Sequence, residues 1–127
     1  MKKFGKQEHL CSEKEITRLF EKGYSEFKYP VKLYWLPGSW TSTETFKVLV
    51  TASKRNFKKA VDRNYIKRLL RECFREQKSV FEVQLNGKKA LVAFVYTGKE
   101  IPEINSLQAI INLLLQRFIQ AYEKTDR

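Results

Sequence analysis

AVDRNYIKRLLRECFRE, residues 60–76, carries two patterns at once. At about 100° per residue, Ile66, Leu69, Leu70, Cys73 and Phe74 share one arc of a helix, wide enough to pack on a sheet. Arg63, Asn64, Lys67, Arg68, Arg71 and Arg75 fill an adjacent arc, and Asp62, Glu72 and Glu76 fall in the remaining sector. A face that only keeps a protein soluble tends to intersperse acids with bases so that they pair along the helix. Here the signs are segregated. Lys54, Arg55, Lys58 and Lys59 precede the helix on a loop, where its first backbone N–H groups and dipole favour phosphate. Arginine's planar fork can take two phosphate oxygens, which lysine cannot do.

The rest of the composition agrees. With 25 Lys and Arg against 14 Asp and Glu, the 127-residue chain has a net charge of +11. Such a field opposes compaction and points to an anionic partner: nucleic acid, an anionic membrane surface or an acidic protein. Hydrophobic residues at 43% and aromatics at 13% support one packed core, so the chain reads as a single domain over 1–127, with 1–9 a mobile N-terminal segment. Cys11 and Cys73 have no metal-site or redox spacing and read as free thiols. The N-terminal MKKFGKQEHLCSEKE lacks the apolar run of a signal peptide, and no segment approaches the roughly 18 apolar residues of a membrane span. A cytoplasmic protein is expected.

Working outward, Ser12 and Glu15 have capping-box spacing, and Ile16, Leu19 and Phe20 follow at helical intervals up to a stop at Gly23. Tyr24–Tyr29 can form a short strand. Val31, Leu33 and Trp35 alternate with Lys32, Tyr34 and Leu36, and Phe46, Val48, Val50 and Ala52 alternate with Lys47, Leu49 and Thr51. These two runs are expected to pair as a hairpin. After the NGKK turn, ALVAFVY is apolar almost throughout, as in a strand buried on both faces. Asn105 or Ser106 is expected to cap a last helix carrying Leu107, Ile110, Ile111, Leu114, Phe118, Ile119 and Tyr122. The order α-β-β-β-α-β-α describes a small α+β sandwich with the sheet on one side of the helices.

Catalytic constellations are missing. His9 is the only histidine, the acids are scattered, and Cys73 lies on the apolar face. No residue is nominated as catalytic or as a metal ligand. The chain reads as a binder.

RNYIKRLLRE resembles the R-N-x-x-K-R-x-x-R-E signature of the bacterial ribonuclease P protein subunit. VTASKRNFKKAVDRN is similar to the approach to that signature, LCSEKEITRLFEKG to the family's first helix, and VKLYWLP to the strand that follows. The resemblance implies a two-layer α–β sandwich with a left-handed βαβ crossover, which strand patterning would not suggest. It implies a partner, the catalytic RNA that removes the 5′ leader from precursor tRNA, with magnesium held mainly by the RNA and no obligatory protein partner. Carried over by position, Lys54, Arg55, Arg63, Asn64, Lys67, Arg68 and Arg71 would face RNA, and the basic run itself adds Lys58, Lys59 and Arg75 to that surface. Ile16, Phe20 and Tyr34 would line a leader cleft between helix and sheet, where stacking on rings is sequence-tolerant. Trp35 and Leu19 are better candidates for the core.

Three positions depart from the family pattern. Tyr65 stands where a second arginine is common, Ile16 where phenylalanine is common, and the loop SKRNFKKAVDRN is one residue longer and lacks its usual glycine. Competing readings are a structured-RNA module with no part in cleavage, a major-groove DNA binder, a membrane-surface or acidic-protein binder, and a self-sufficient nuclease. No helix-turn-helix order surrounds residues 60–76, which weighs against the DNA reading.

Overall fold

A computed structural model describes residues 12–125. The segment 1–9, with His9, and Cys11 lie outside them. In chain order the elements are α1 (Glu13–Lys22), β1 (Tyr24–Lys28), β2 (Val31–Gly38), β3 (Phe46–Ala52), α2 (Ala60–Leu85), β4 (Lys89–Tyr96) and α3 (Ile104–Thr125).

The apolar run of β4 explains the sheet. A strand buried on both faces sits between two neighbours, and β4 lies between β2 and β3 in the order β1-β2-β4-β3. It pairs antiparallel with β2 and parallel with β3. The expected β2–β3 hairpin is therefore not formed. Alternation had identified which residues of each strand face the core, but not which strands are neighbours, because neighbours are selected by tertiary packing. The parallel unit is β3–α2–β4.

Because β2 and β3 are separated by β4, residues 39–45 must pass the start of that strand. Lys89, the first residue of β4, donates from Nζ to the carbonyl oxygens of Trp40, at 2.7 Å, and Ser42. Trp40 Nε1 donates to the Glu44 carbonyl at 2.8 Å, and Ser42 Oγ to the Glu44 carboxylate at 2.6 Å. That hydroxyl, with Lys47 and Lys89 nearby, holds the Glu44 carboxyl below its usual range.

The two sheet faces carry separate cores. Val31, Leu33 and Trp35, with Phe46, Val48 and Val50, Ala90, Val92 and Phe94, pack against α2 and α3. On α2 the buried positions Ile66, Leu69, Leu70, Cys73 and Phe74 match the expected arc and continue through Phe81 to Leu85. Asn86 and Gly87, at φ 51° and 88°, end that helix in the left-handed region. Sheet and α2–α3 pair form the two-layer sandwich. The first helix lies across the opposite face, where Leu19 packs with Leu36, Leu91 and Ala93.

Two termini differ from the sequence reading. The cap of α3 is Glu103, whose carboxylate accepts from the N–H groups of Asn105 and Ser106 and from Ser106 Oγ, which lowers its pKa. A glutamate one position before the helix can reach back over the first turn as Asn and Ser do, at the cost of more side-chain freedom. Gly23 does end α1, but in extended backbone (φ −73°). Its lack of a side chain matters for a different reason: a Cβ there would lie 2.3 Å from the Leu19 carbonyl oxygen and 3.0 Å from that of Trp35.

Candidate nucleic-acid interface

The 53–59 loop links the C-terminal end of β3 to the start of α2. Phe57 is its anchor, buried against Tyr96 with ring centroids 6.0 Å apart. The Phe57 N–H donates to the Ser53 carbonyl at 3.0 Å, and the Arg55 N–H to Ser53 Oγ at 3.1 Å. Asn56 donates from Nδ2 to the carbonyls of Thr97 and Gly98, at 3.1 and 3.2 Å, tying the loop to the end of β4. This loop contains no glycine, and the turn at Asn56 is secured by its own side chain. Lys54, Arg55, Lys58 and Lys59 project from it, exposed.

Arg63 behaves differently from the other cations. Its Nη1 donates to the carbonyls of Phe57, at 2.7 Å, and Lys58, at 3.0 Å. It closes the loop onto the first turn of α2, whose N-cap, Lys59, supplies no side-chain hydrogen bond. Along the helix, Asn64 and Arg68 are exposed and Lys67, Arg71 and Arg75 half-buried. The Arg68 guanidinium lies 5.1 Å from the centre of the Tyr65 ring. Tyr65, 41% exposed, thus supports a neighbouring arginine. With Val61, Asp62, Asn64 and Arg71 these two residues line a shallow groove of ≈ 600 Å³. Arg75 lies 4.0 Å from its neighbour Glu76. Among the described residues, no carboxylate pairs with Lys54, Arg55, Lys58, Lys59, Lys67, Arg68 or Arg71.

On the other face of the sheet, α1 sets Phe20 edge-on to Tyr34, with centroids 4.8 Å apart at 71°. Lys32 Nζ lies 4.9 Å from the Tyr34 ring centre. Phe20 is 38% exposed, Tyr34 and Ile16 are half-buried, and Leu19 and Trp35 are fully buried, as expected for core. The nominated residues therefore divide between two sides of the sheet, joined at one end by the 53–59 loop. Lys32 was missed, although strand alternation had put it on the Tyr34 face. The role of Asn56 had no local signal, since its partners are more than 40 residues away.

Cys73 is inert core. Burial foremost, then Glu72 and Glu76, push its thiol up to about 11. Among the described residues no group of three or more His, Cys, Asp or Glu side chains has the geometry to hold a metal ion. Nor is any described helix long and apolar enough to cross a membrane.

Fold and site together define a small basic α+β protein with a cationic helix-and-loop surface on one side and half-exposed aromatics on the other. The family model for ribonuclease P matches residues 4–118. The ribonuclease P protein component of Porphyromonas gingivalis is 30% identical over 114 residues, covering 88% of this chain and 83% of its own. That of Chlorobium phaeobacteroides is 30% identical over 122 residues, covering 87% and 84%. Among solved structures, the RNase P proteins of Staphylococcus aureus (TM-score 0.70, 86% and 93% of the two chains) and Thermotoga maritima (0.67, 86% and 96%) share the fold, each at 20% identity. The chain belongs to the ribonuclease P protein family. It is the protein part of an endoribonuclease that processes the 5′ end of tRNA, with catalysis carried by RNA.

Proposed function

We propose that the two sides of the sheet serve two RNAs. Lys54, Arg55, Lys58, Lys59, Asn64, Lys67, Arg68, Arg71 and Arg75 grip phosphates of the ribonuclease P RNA, and Arg63 holds the loop that presents four of them. Ile16, Phe20 and Tyr34, with Lys32, form the cleft for the 5′ leader of precursor tRNA. The observation that carries this reading is the set of cations on α2 and its leading loop that, Arg75 apart, no carboxylate among the described residues pairs with. Uncompensated charge of one sign repels itself in the free protein and is relieved when phosphates displace counterions. Magnesium is assigned to the RNA subunit, which carries the catalysis. The working compartment is the bacterial cytoplasm, and no protein partner is required.

The test is cleavage of precursor tRNA at low magnesium by a bacterial ribonuclease P RNA, with and without the protein. Strong stimulation is expected, with no cleavage by the protein alone. Arg68→Ala should weaken binding to the RNA and lower the dependence of log K on log salt by about one phosphate contact. Tyr34→Ala should leave assembly intact and weaken substrate binding by about 1–3 kcal/mol. An unchanged salt slope for the first, or unfolding in the second, removes that residue from its assigned role.

A further inference from the structure

The outer strand β1 and the turn that follows it carry two aromatic rings that the fold does not use. Phe27 is 52% exposed and Tyr29 62%, with centroids 6.5 Å apart and planes at 68°. In the β1–β2 register Phe27 is opposite Lys32, and Ser25 opposite Tyr34. Directly opposed residues project to the same face, so Phe27 stands on the face of Lys32, Tyr34 and Phe20. The Tyr34–Phe27 pair is the diagonal of that ladder, with a spacing of about 7–8 Å. The first helix packs on β2 and β4 and leaves Phe27 uncovered.

We infer that Phe27 and Tyr29 form a second stacking platform, which takes leader nucleotides lying further from the cleavage site than those held at Phe20 and Tyr34. The inference rests on the assignment of Phe20 and Tyr34 to the leader. Two features commit the patch to this occupant. It is continuous with the cleft through Lys32, which lies opposite Phe27 in the strand register and holds its ammonium 4.9 Å from the Tyr34 ring centre. The opposite edge of the same face is β3, with Thr51, which leads into the Lys54–Lys59 loop assigned above to the catalytic RNA, so a leader that outgrows the cleft leaves past β1.

The platform is also built rigidly. The Phe27 carbonyl accepts from Arg117 Nη1 at 3.0 Å. The Pro30 carbonyl accepts from the Thr97 N–H at 2.7 Å and from Thr97 Oγ1 at 3.0 Å. The backbone that carries both rings is thus fixed from α3 and from the end of β4. Aromatic rings held in place by their backbone bind bases with little ordering cost and without sequence preference.

The experiment measures substrate affinity of the reconstituted holoenzyme for precursor tRNAs with leaders of about three and about ten nucleotides. Phe27→Ala/Tyr29→Ala should raise Kd for the long leader about 5- to 30-fold and leave the short one unchanged. Phe27→Trp should restore the long-leader affinity that Phe27→Ala loses, which a merely structural role would not produce. Equal Kd values for wild type and the double variant at both lengths overturn the inference. If Tyr34→Ala weakens both leaders while the double variant is silent, only the second platform fails; if Tyr34→Ala is silent too, the cleft assignment itself fails. Sedimentation in which Phe27→Ala converts a dimer to a monomer would assign the patch to a second copy of the chain and likewise overturn the proposal.

Discussion

Arg63 separates two roles that look identical in a string of basic residues. Its Nη1 spans two carbonyls of the loop, at 2.7 and 3.0 Å. A hydrogen bond from a charged donor contributes about 1.5–3 kcal/mol net, and two that share one nitrogen at a half-buried site contribute together about 2 kcal/mol. With an unfolding entropy of about 2.1 cal/mol/K per residue, Arg63→Ala should lower Tm by about 7 °C. The loop it closes bears Lys58 and Lys59, so its release should also reduce the salt slope of RNA binding by about one to two contacts. Arg63→Lys is the decisive companion, because it keeps the charge but loses the planar fork. If Arg63 is the clamp, the lysine variant retains little of the lost stability. Thermal melts of the free protein and salt-dependent binding to ribonuclease P RNA provide both readouts. An unchanged Tm for Arg63→Ala, with a slope lowered by about one as for Arg68→Ala, would refute the clamp and make Arg63 an ordinary phosphate contact.

Gly23→Ala should cost about 1–3 kcal/mol by chemical denaturation, because the new Cβ meets the Leu19 carbonyl at 2.3 Å and must displace α1. Substrate affinity should fall with it as Phe20 moves from Tyr34; wild-type stability would show that α1 ends with more slack than its contacts indicate. In a Cys11→Ser background, Cys73 should resist alkylation near pH 8 in the folded protein and react promptly in urea, since its thiol is pushed up to about 11. Rapid labelling of the native state would contradict its burial. The same shift has a definite sign for stability. The unfolded thiol ionises near 9.0 while the folded one stays neutral, so the folded state holds the extra proton and loses stability as pH rises between the two values. A Cys73→Ala variant should lack that alkaline component.

Much of the fold was legible because it depends on local periodicity. The arc of Ile66, Leu69, Leu70, Cys73 and Phe74, the alternation of Val31, Leu33 and Trp35, and the unbroken apolar run of β4 each identify an element and its buried side. They say nothing of which strand lies beside which, and the expected β2–β3 hairpin failed on that point. Glu103 displaced Asn105 and Ser106 as the α3 cap for a similar reason: several residues near a helix start can cap it, and packing of the first turn chooses among them.

The site divides along the same line. Net charge, the segregation of cations on α2 and the family signature were properties of the chain order, and they were sufficient to point to RNA. Only the folded molecule reveals that Arg63 spends one nitrogen on its own loop, that Asn56 reaches Thr97 and Gly98, and that Phe20 and Tyr34 lie on the sheet face opposite α2. Amphipathic period and charge are encoded within a few neighbouring residues, so the sequence by itself determined them. Strand neighbours, side-chain partners dozens of residues apart and the division of the surface into two faces arise only when β4 is inserted between β2 and β3, which is a tertiary event.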